Sequence, residues 1–107
     1  MNKYTHQIAN QIKQVVQQTD PTAVTILYGS RATGKARKDS DWDVLILVDK
    51  LSSSLKEELV FRDKLYDLEL EIGEAISTLF YSKEDWNTKL SVTPLHQAIE
   101  QEGIVLC

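Results

Sequence analysis

Two spacings of apolar residues divide this chain into segments. In residues 3–18 apolar side chains recur every three or four positions, Ile8 and Ile12 among them, which predicts an amphipathic helix. Residues 23–28 (AVTILY) and 42–48 (WDVLILV) are instead short apolar runs rich in β-branched residues, and they predict strands. Beyond its second residue the later run is apolar on both faces, which is typical of a central strand.

Predicted helices and strands continue to alternate in the second half of the chain. Ser54 and Glu57 form a capping-box pattern that begins a long helix, which we expect to end near Gly73. Residues 76–81 (ISTLFY) predict a third strand, and residues 83–90 predict a short helical turn.

A last helix and a short edge strand complete the predicted order of elements. Thr93 and Pro94 read as the N-cap and first residue of the helix, Gly103 ends it, and residues 104–107 (IVLC) predict the edge strand. The order α-β-(short α)-β-α-β-α-(β) predicts a two-layer α/β (α+β) fold, in which helices pack on a small sheet. We expect a mixed sheet, because the connection between the first two strands is short for a parallel crossover.

Length and composition narrow the class of protein. A chain of 107 residues, 42% hydrophobic and 26% charged, is expected to form one globular domain over residues 1–107. No apolar run approaches the ~18 residues of a membrane span, and the N-terminus does not read as a secretory signal. The only cysteine, Cys107, is the last residue. We therefore expect a soluble cytoplasmic protein with no membrane contact.

The charged residues are unevenly distributed. The net charge of −4 argues against strong nucleic-acid binding. Four basic residues nonetheless lie close together with no acid among them: Arg31, Lys35, Arg37 and Lys38. This basic loop suits a small polyanion better than a long one, although by itself it is equally consistent with an ordinary solvated loop.

Asp41 and Asp43 are the candidate metal ligands. Side chains alternate along a strand, so these two carboxylates are expected to point to the same side, with Cα atoms about 6.5–7 Å apart. Two carboxylates in that arrangement suit one or two Mg²⁺ or Mn²⁺ ions. The D-x-D spacing alone also fits a loop aspartate followed by a charge at a strand edge.

Gly29 and Ser30 follow the first predicted strand and precede the basic loop. Glycine permits a sharp bend, and Ser30 begins a predicted short helix whose free N–H groups and hydroxyl suit a phosphate. A simple strand-ending turn would have the same residues. Taken together, the turn, the mobile cations and the carboxylate pair are the groups that phosphoryl or nucleotidyl transfer requires.

This stretch resembles the signature of the nucleotidyltransferase superfamily, whose relatives include DNA polymerase beta. The signature is "GS", a short helix and loop, and then "DWD" entering a strand. The segments "GSRATG", "SDWDVLILV" and "IEQEGIVL" are most similar to its minimal nucleotidyltransferase branch, and the resemblance covers nearly the whole chain. It implies that Gly29 and Ser30 hold the phosphates of a nucleotide. With the basic loop, in which Arg31 and Arg37 are the candidate ligands, the turn would hold a nucleoside triphosphate, with ATP the first choice.

The resemblance also implies that Asp41 and Asp43 are catalytic and bind Mg²⁺ or Mn²⁺. The family usually has a third carboxylate on the following strand, linked to activating the attacking hydroxyl, and here that position falls on Ser77 or Thr78. Neither residue is an anionic ligand, which puts transfer in question but not metal or nucleotide binding. Three glutamates lie near in sequence, in or just after the preceding helix: Glu69, Glu71 and Glu74. A helix residue could complete the site only if residues 76–81 are not a strand.

Two functions of different classes follow from the resemblance. The first is an enzyme that transfers a nucleoside monophosphate to a hydroxyl of a small-molecule or protein acceptor. The second is a catalytically impaired binding module, the antitoxin-like partner of a small helical protein of the HEPN type. A chain this short has no second domain for an acceptor, so the acceptor would be small, held by a homo-oligomer, or a protein partner. An α/β domain unrelated to the family is the third alternative.

Overall fold

The computed structural model describes residues 2–49 and 54–107 and contains every predicted helix and strand. The elements are α1 (Lys3–Thr19), β1 (Val24–Tyr28), α2 (Ser30–Thr33), β2 (Trp42–Val48), α3 (Ser54–Ile72), β3 (Ile76–Ser82), α4 (Lys83–Asn87), α5 (Pro94–Glu102) and β4 (Ile104–Val105). The capping interaction predicted for Ser54 lies outside the described side chains. None of the described helices combines the length and apolarity needed to cross a membrane.

The four strands form one mixed sheet in the order β3-β2-β1-β4. Strand β1 runs antiparallel to both β2 and β4, whereas β2 and β3 are parallel. The parallel pair is joined through α3, which is long enough to carry the chain back along the sheet, while the loop before β2 is not. The predicted mixed sheet is therefore confirmed, and so is the central position of β2.

Alternate residues of β2 pack into two separate apolar clusters. Val44 and Ile46 lie in the larger cluster, beneath α1 and α3. Leu45 and Leu47 face the other side, where Trp86 of α4 and a residue of α5 cover them. Burial on both faces explains why this strand is an almost continuous apolar run.

The second face of the sheet is covered only in part, and its uncovered region is where β1 ends and β2 and β3 begin. Along β2 the buried positions of this face are Leu45 and Leu47, whereas Asp43 is only half-buried. Ser77, on the neighbouring strand, is exposed. Polar side chains at this end of the sheet therefore remain accessible to a ligand.

Candidate metal and nucleotide site

The strand pairing places Asp43 between Tyr28 and Ser77. Tyr28 is its direct partner on β1, and Ser77 is its direct partner on β3. Residues directly opposite in a sheet project from the same face, with neighbouring strands about 4.8 Å apart. Thr78 instead pairs with Val44 and projects from the helix-covered face. Of the two sequence alternatives, Ser77 is therefore the residue beside the aspartates.

Asp41 lies one residue before β2 and is exposed. Partial burial, and then the nearby Asp41 carboxylate, raise the pKa of Asp43 above its usual range. Among residues 2–49 and 54–107, neither carboxylate takes part in a salt bridge. Two adjacent carboxylates without a protein cation are stabilised by a divalent cation, and their hard oxygens suit Mg²⁺ or Mn²⁺. The donor set therefore fits the metal that the resemblance implies.

Gly29 brings the β1–α2 turn directly against Asp43. Its backbone has φ 72° and ψ −158°, a conformation open essentially to glycine alone. A Cβ at this position would overlap the carboxylate of Asp43. The Gly29 carbonyl then accepts hydrogen bonds from the Ala32 and Thr33 N–H groups, and Ser30 is the first residue of α2. The structure thus places the Gly-Ser turn and the aspartates side by side.

A family profile and two solved structures resemble this chain. The profile of the family described as "Polymerase beta, Nucleotidyltransferase" matches residues 10–107. The chain belongs to this nucleotidyltransferase family.

The solved structures share the fold at low sequence identity. One is a crystal structure of a toxin–antitoxin with AMP-PNP, with a TM-score of 0.62 at 19% identity over 92% of this chain and 72% of that chain. Another, the toxin–antitoxin MntA-HpeT with two aspartates changed to glutamate, has a TM-score of 0.60 at 17% identity and the same coverage. No curated protein sequence matches this chain.

Arg31 of the basic loop, a predicted phosphate ligand, lies away from the open face of the sheet. Arg31 is only 8% exposed. Its Nη2 donates to Glu74 Oε1 at 2.7 Å and to the Ser40 carbonyl at 2.9 Å. Its guanidinium lies 4.4 Å from the ring centroid of Trp42, which projects from β2 opposite to Asp43. These contacts do not support the predicted role of Arg31 as a phosphate ligand.

The rest of the basic loop remains exposed. Lys35, Arg37 and Lys38 are all solvent-accessible, and the Arg37 N–H donates to Ser40 Oγ at 2.8 Å. That bond holds the backbone of the loop and leaves the Arg37 side chain at the surface. The role of Arg37 as a phosphate ligand stays a prediction.

None of the three nearby glutamates replaces the family's third carboxylate. Glu69 Oε1 accepts from the Ile76 N–H at 2.6 Å, and Glu74 Oε1 accepts from Arg31 and from Trp42 Nε1. Glu71 lies with Gln18 in a groove between α1 and α3. Within the described ranges, no group of three or more His, Cys, Asp or Glu side chains is placed to hold a metal.

Sequence reasoning assigned no role to Tyr28, which the sheet places beside Asp43. Burial, then the Asp43 charge and then Tyr81, raise the pKa of Tyr28 to about 12. The phenol therefore keeps its proton and remains a hydrogen-bond donor next to an anionic site. The sequence did contain a signal that Tyr28 lies near the site, since this residue directly precedes the Gly-Ser turn.

We expect the Asp43→Asn variant to be more stable than the wild type at pH 7 without divalent cations. A raised pKa means that the folded state holds the Asp43 proton more tightly than the unfolded state. Its stabilising effect is therefore present below the ordinary carboxyl pKa of 3.8 and is lost as the pH rises through the folded value. The difference in Tm between variant and wild type should be largest near pH 7 and should shrink towards pH 3.5. A loss of stability at pH 7 would contradict this, and Asp39→Asn, on the exposed loop, is the matched control.

We expect Arg31→Ala to destabilise the fold by about 2–3 kcal/mol, because it removes charge-assisted hydrogen bonds to Glu74 and Ser40. Arg37→Ala, at an exposed position of the same loop, should change the unfolding free energy by less than about 0.5 kcal/mol. Denaturant unfolding of both variants measures the difference. Equal stability would mean that the contacts of Arg31 contribute nothing.

Proposed function

We propose that this chain binds ATP together with Mg²⁺ or Mn²⁺ and transfers the nucleoside monophosphate to a hydroxyl of a small-molecule or protein acceptor. One observation carries the proposal. Asp43, close to a second carboxylate and without a salt bridge to any described residue, lies against the backbone of Gly29 on the open face of the sheet. This is the arrangement that the family signature predicts.

Asp41 and Asp43 would hold the metal ion. When bound, the ion neutralises charge on the nucleotide phosphates and on the leaving pyrophosphate. The chain's own contribution is to hold the two carboxylates on one side of β2 and to keep the β1–α2 turn against Asp43. Because both parts rest on the same sheet, a nucleotide bound to them would be oriented rather than merely retained.

The phosphates would lie against the Gly29–Ser30 turn, where the Ser30 hydroxyl would donate a hydrogen bond and the exposed Arg37 would supply positive charge. In the transfer step the acceptor oxygen bonds to the α-phosphorus, the bond to the bridging oxygen breaks, and pyrophosphate leaves with the electron pair. The hydroxyl proton passes to water or to a base of the acceptor, since Ser77 supplies no carboxylate.

The similar structures support both ATP and a protein partner. One of them contains AMP-PNP, an analogue of ATP, and both are toxin–antitoxin assemblies. In one, two aspartates are the mutated residues. These assemblies support a protein partner, and together with the family resemblance they lead us to propose that the acceptor, or the partner, is a small helical protein of the HEPN type.

A second candidate function is favoured by Ser77 and by the outer face of α3. Leu59, Tyr66 and Leu70 recur along that helix at exposures of 49%, 57% and 66%. They lie opposite the side of α3 that packs on the sheet, where a soluble helix is normally polar. A protein that binds its partner through this stripe, and lacks the third carboxylate, would act as an antitoxin-like module without transferring nucleotide.

Incubation of the protein with ATP labelled at the α-phosphate, Mn²⁺ and the protein encoded beside it separates the two functions. The enzyme predicts covalent label on the acceptor, whereas the binding module predicts a stable complex without label. In calorimetric titration, Asp43→Asn should lose metal-dependent ATP binding, because the proposed metal site includes this carboxylate. Unchanged ATP binding by Asp43→Asn would contradict the proposed site, with Asp39→Asn as the control.

We further expect Ser77→Asp to raise the transfer rate at least tenfold when an acceptor is present. The new carboxylate would project beside Asp43, and a general base typically contributes ~10²–10⁴-fold to a rate. Thr78→Asp is not a useful control, because that position faces the helices, so Ser77→Asn serves instead. Equal rates for the Asp and Asn variants would show that no carboxylate is required there.

A further inference from the structure

Asp41 has little local support of its own. It precedes the first residue of β2, so the strand pairing does not hold it, and its side chain is exposed. Both of its chain neighbours, in contrast, are fixed. The Ser40 carbonyl accepts from Arg31 Nη2 at 2.9 Å, and Trp42 Nε1 donates to Glu74 Oε1 at 3.3 Å.

Arg31 and Glu74 join these two restraints into one cluster. The same Nη2 that binds the Ser40 carbonyl also binds Glu74 Oε1 at 2.7 Å, and the same Oε1 accepts from Trp42. The guanidinium stacks on the indole that Glu74 binds. We call these two residues, Arg31 and Glu74, the clamp. The clamp contacts the residues before and after Asp41 and lies on the opposite side of β2 from Asp43.

We propose that the clamp positions Asp41 for metal binding, so that affinity for the metal depends on two residues that would not touch it. This inference rests on the proposed function, which assigns the metal to Asp41 and Asp43. It gives Arg31 a positioning role in place of direct contact with phosphate.

The position of Arg31 in the chain connects the clamp to the other half of the site. Gly29, Ser30 and Arg31 are consecutive, and Gly29 lies against Asp43 while Arg31 reaches behind the strand to Glu74. The turn and the clamp therefore share one backbone segment. A change that releases Arg31 also releases the segment that carries the proposed phosphate contacts.

Other hydrogen bonds near Asp41 run from the Trp42 N–H to the Ala75 carbonyl at 2.9 Å and from the Ser40 N–H to the Arg37 carbonyl at 3.1 Å. They fix Trp42 at the start of the strand and tie Ser40 to the loop, while the Ser40–Asp41 peptide is bound through its carbonyl to the clamp. A backbone residue that has been freed must be ordered again when the metal binds, and this costs conformational entropy. We therefore expect loss of the clamp to weaken Mn²⁺ binding by about fivefold to thirtyfold.

The test is Mn²⁺ affinity, measured from the electron paramagnetic resonance signal of free Mn²⁺, at a temperature where circular dichroism shows each variant folded. Glu74→Ala should weaken binding by the stated factor. Glu58→Ala is the control, since it removes an arginine salt bridge within α3, to Arg62, that does not involve the residues next to Asp41. If Glu74→Ala does not fold, Glu74→Gln takes its place, with a smaller loss expected because the acceptor remains but its charge does not.

A double-mutant cycle distinguishes positioning from general destabilisation. In the Asp41→Asn background, Glu74→Ala should change Mn²⁺ affinity by less than twofold, because the group that the clamp positions is already gone. Equal losses in both backgrounds would overturn the proposal, and so would unchanged affinity in folded Glu74→Ala and Glu74→Gln. Failure of the wild-type protein to bind Mn²⁺ at all would contradict the proposed function itself, and with it this inference.

Discussion

The pairing of β2 with β1 on one side and β3 on the other determines where the polar groups of the site lie. The pairing aligns Tyr28, Asp43 and Ser77 across three strands on one face. A shift of one residue in either ladder would turn Asp43 or its neighbour towards the helices. The register is held by burial, because a slip that turned β2 over would place the Asp43 carboxylate in the core cluster beneath α1 and α3.

The charged groups near the start of β2 lie on opposite faces of the sheet. Asp43 projects from the open face, and its raised pKa reflects partial burial and then the charge of the nearby Asp41 carboxylate. Arg31 and Glu74 neutralise each other on the other face, at 2.7 Å and largely out of solvent. An arginine free to swing forward would pair with the aspartates and compete with a metal ion. Because Arg31 is bound to Glu74, it does not neutralise the negative charge of the open face.

Two surfaces of the protein are therefore available for different partners. The open face of the sheet, at the start of β2, carries the proposed metal and nucleotide site, while the exposed stripe of α3 lies on the outside of the helical layer. Because the sheet separates them, a protein bound along Leu59, Tyr66 and Leu70 would leave the edge at Asp43 accessible. Partner binding and nucleotide binding are thus compatible in one small chain, whether or not transfer follows.

The sequence by itself determined the elements, the mixed sheet and the residues of the signature. Hydrophobic spacing is a local property, and strands buried on both faces or helices with one apolar side leave a clear pattern. The resemblance likewise identified Gly29, Ser30, Asp41 and Asp43 as one group, and the structure brings the turn and the aspartates together.

The tertiary structure alone decided the roles that depend on long-range pairing. Arg31 reads as one cation of a basic loop, and only its contact with Glu74, which is distant in sequence, removes it from the open face. The choice between Ser77 and Thr78 required the register of a parallel pair, which no local pattern specifies. The contact of Arg31 with Glu74 and the position of Ser77 beside Asp43 both depend on which distant residues meet in the fold. Packing of the whole core determines those meetings, and the local sequence does not.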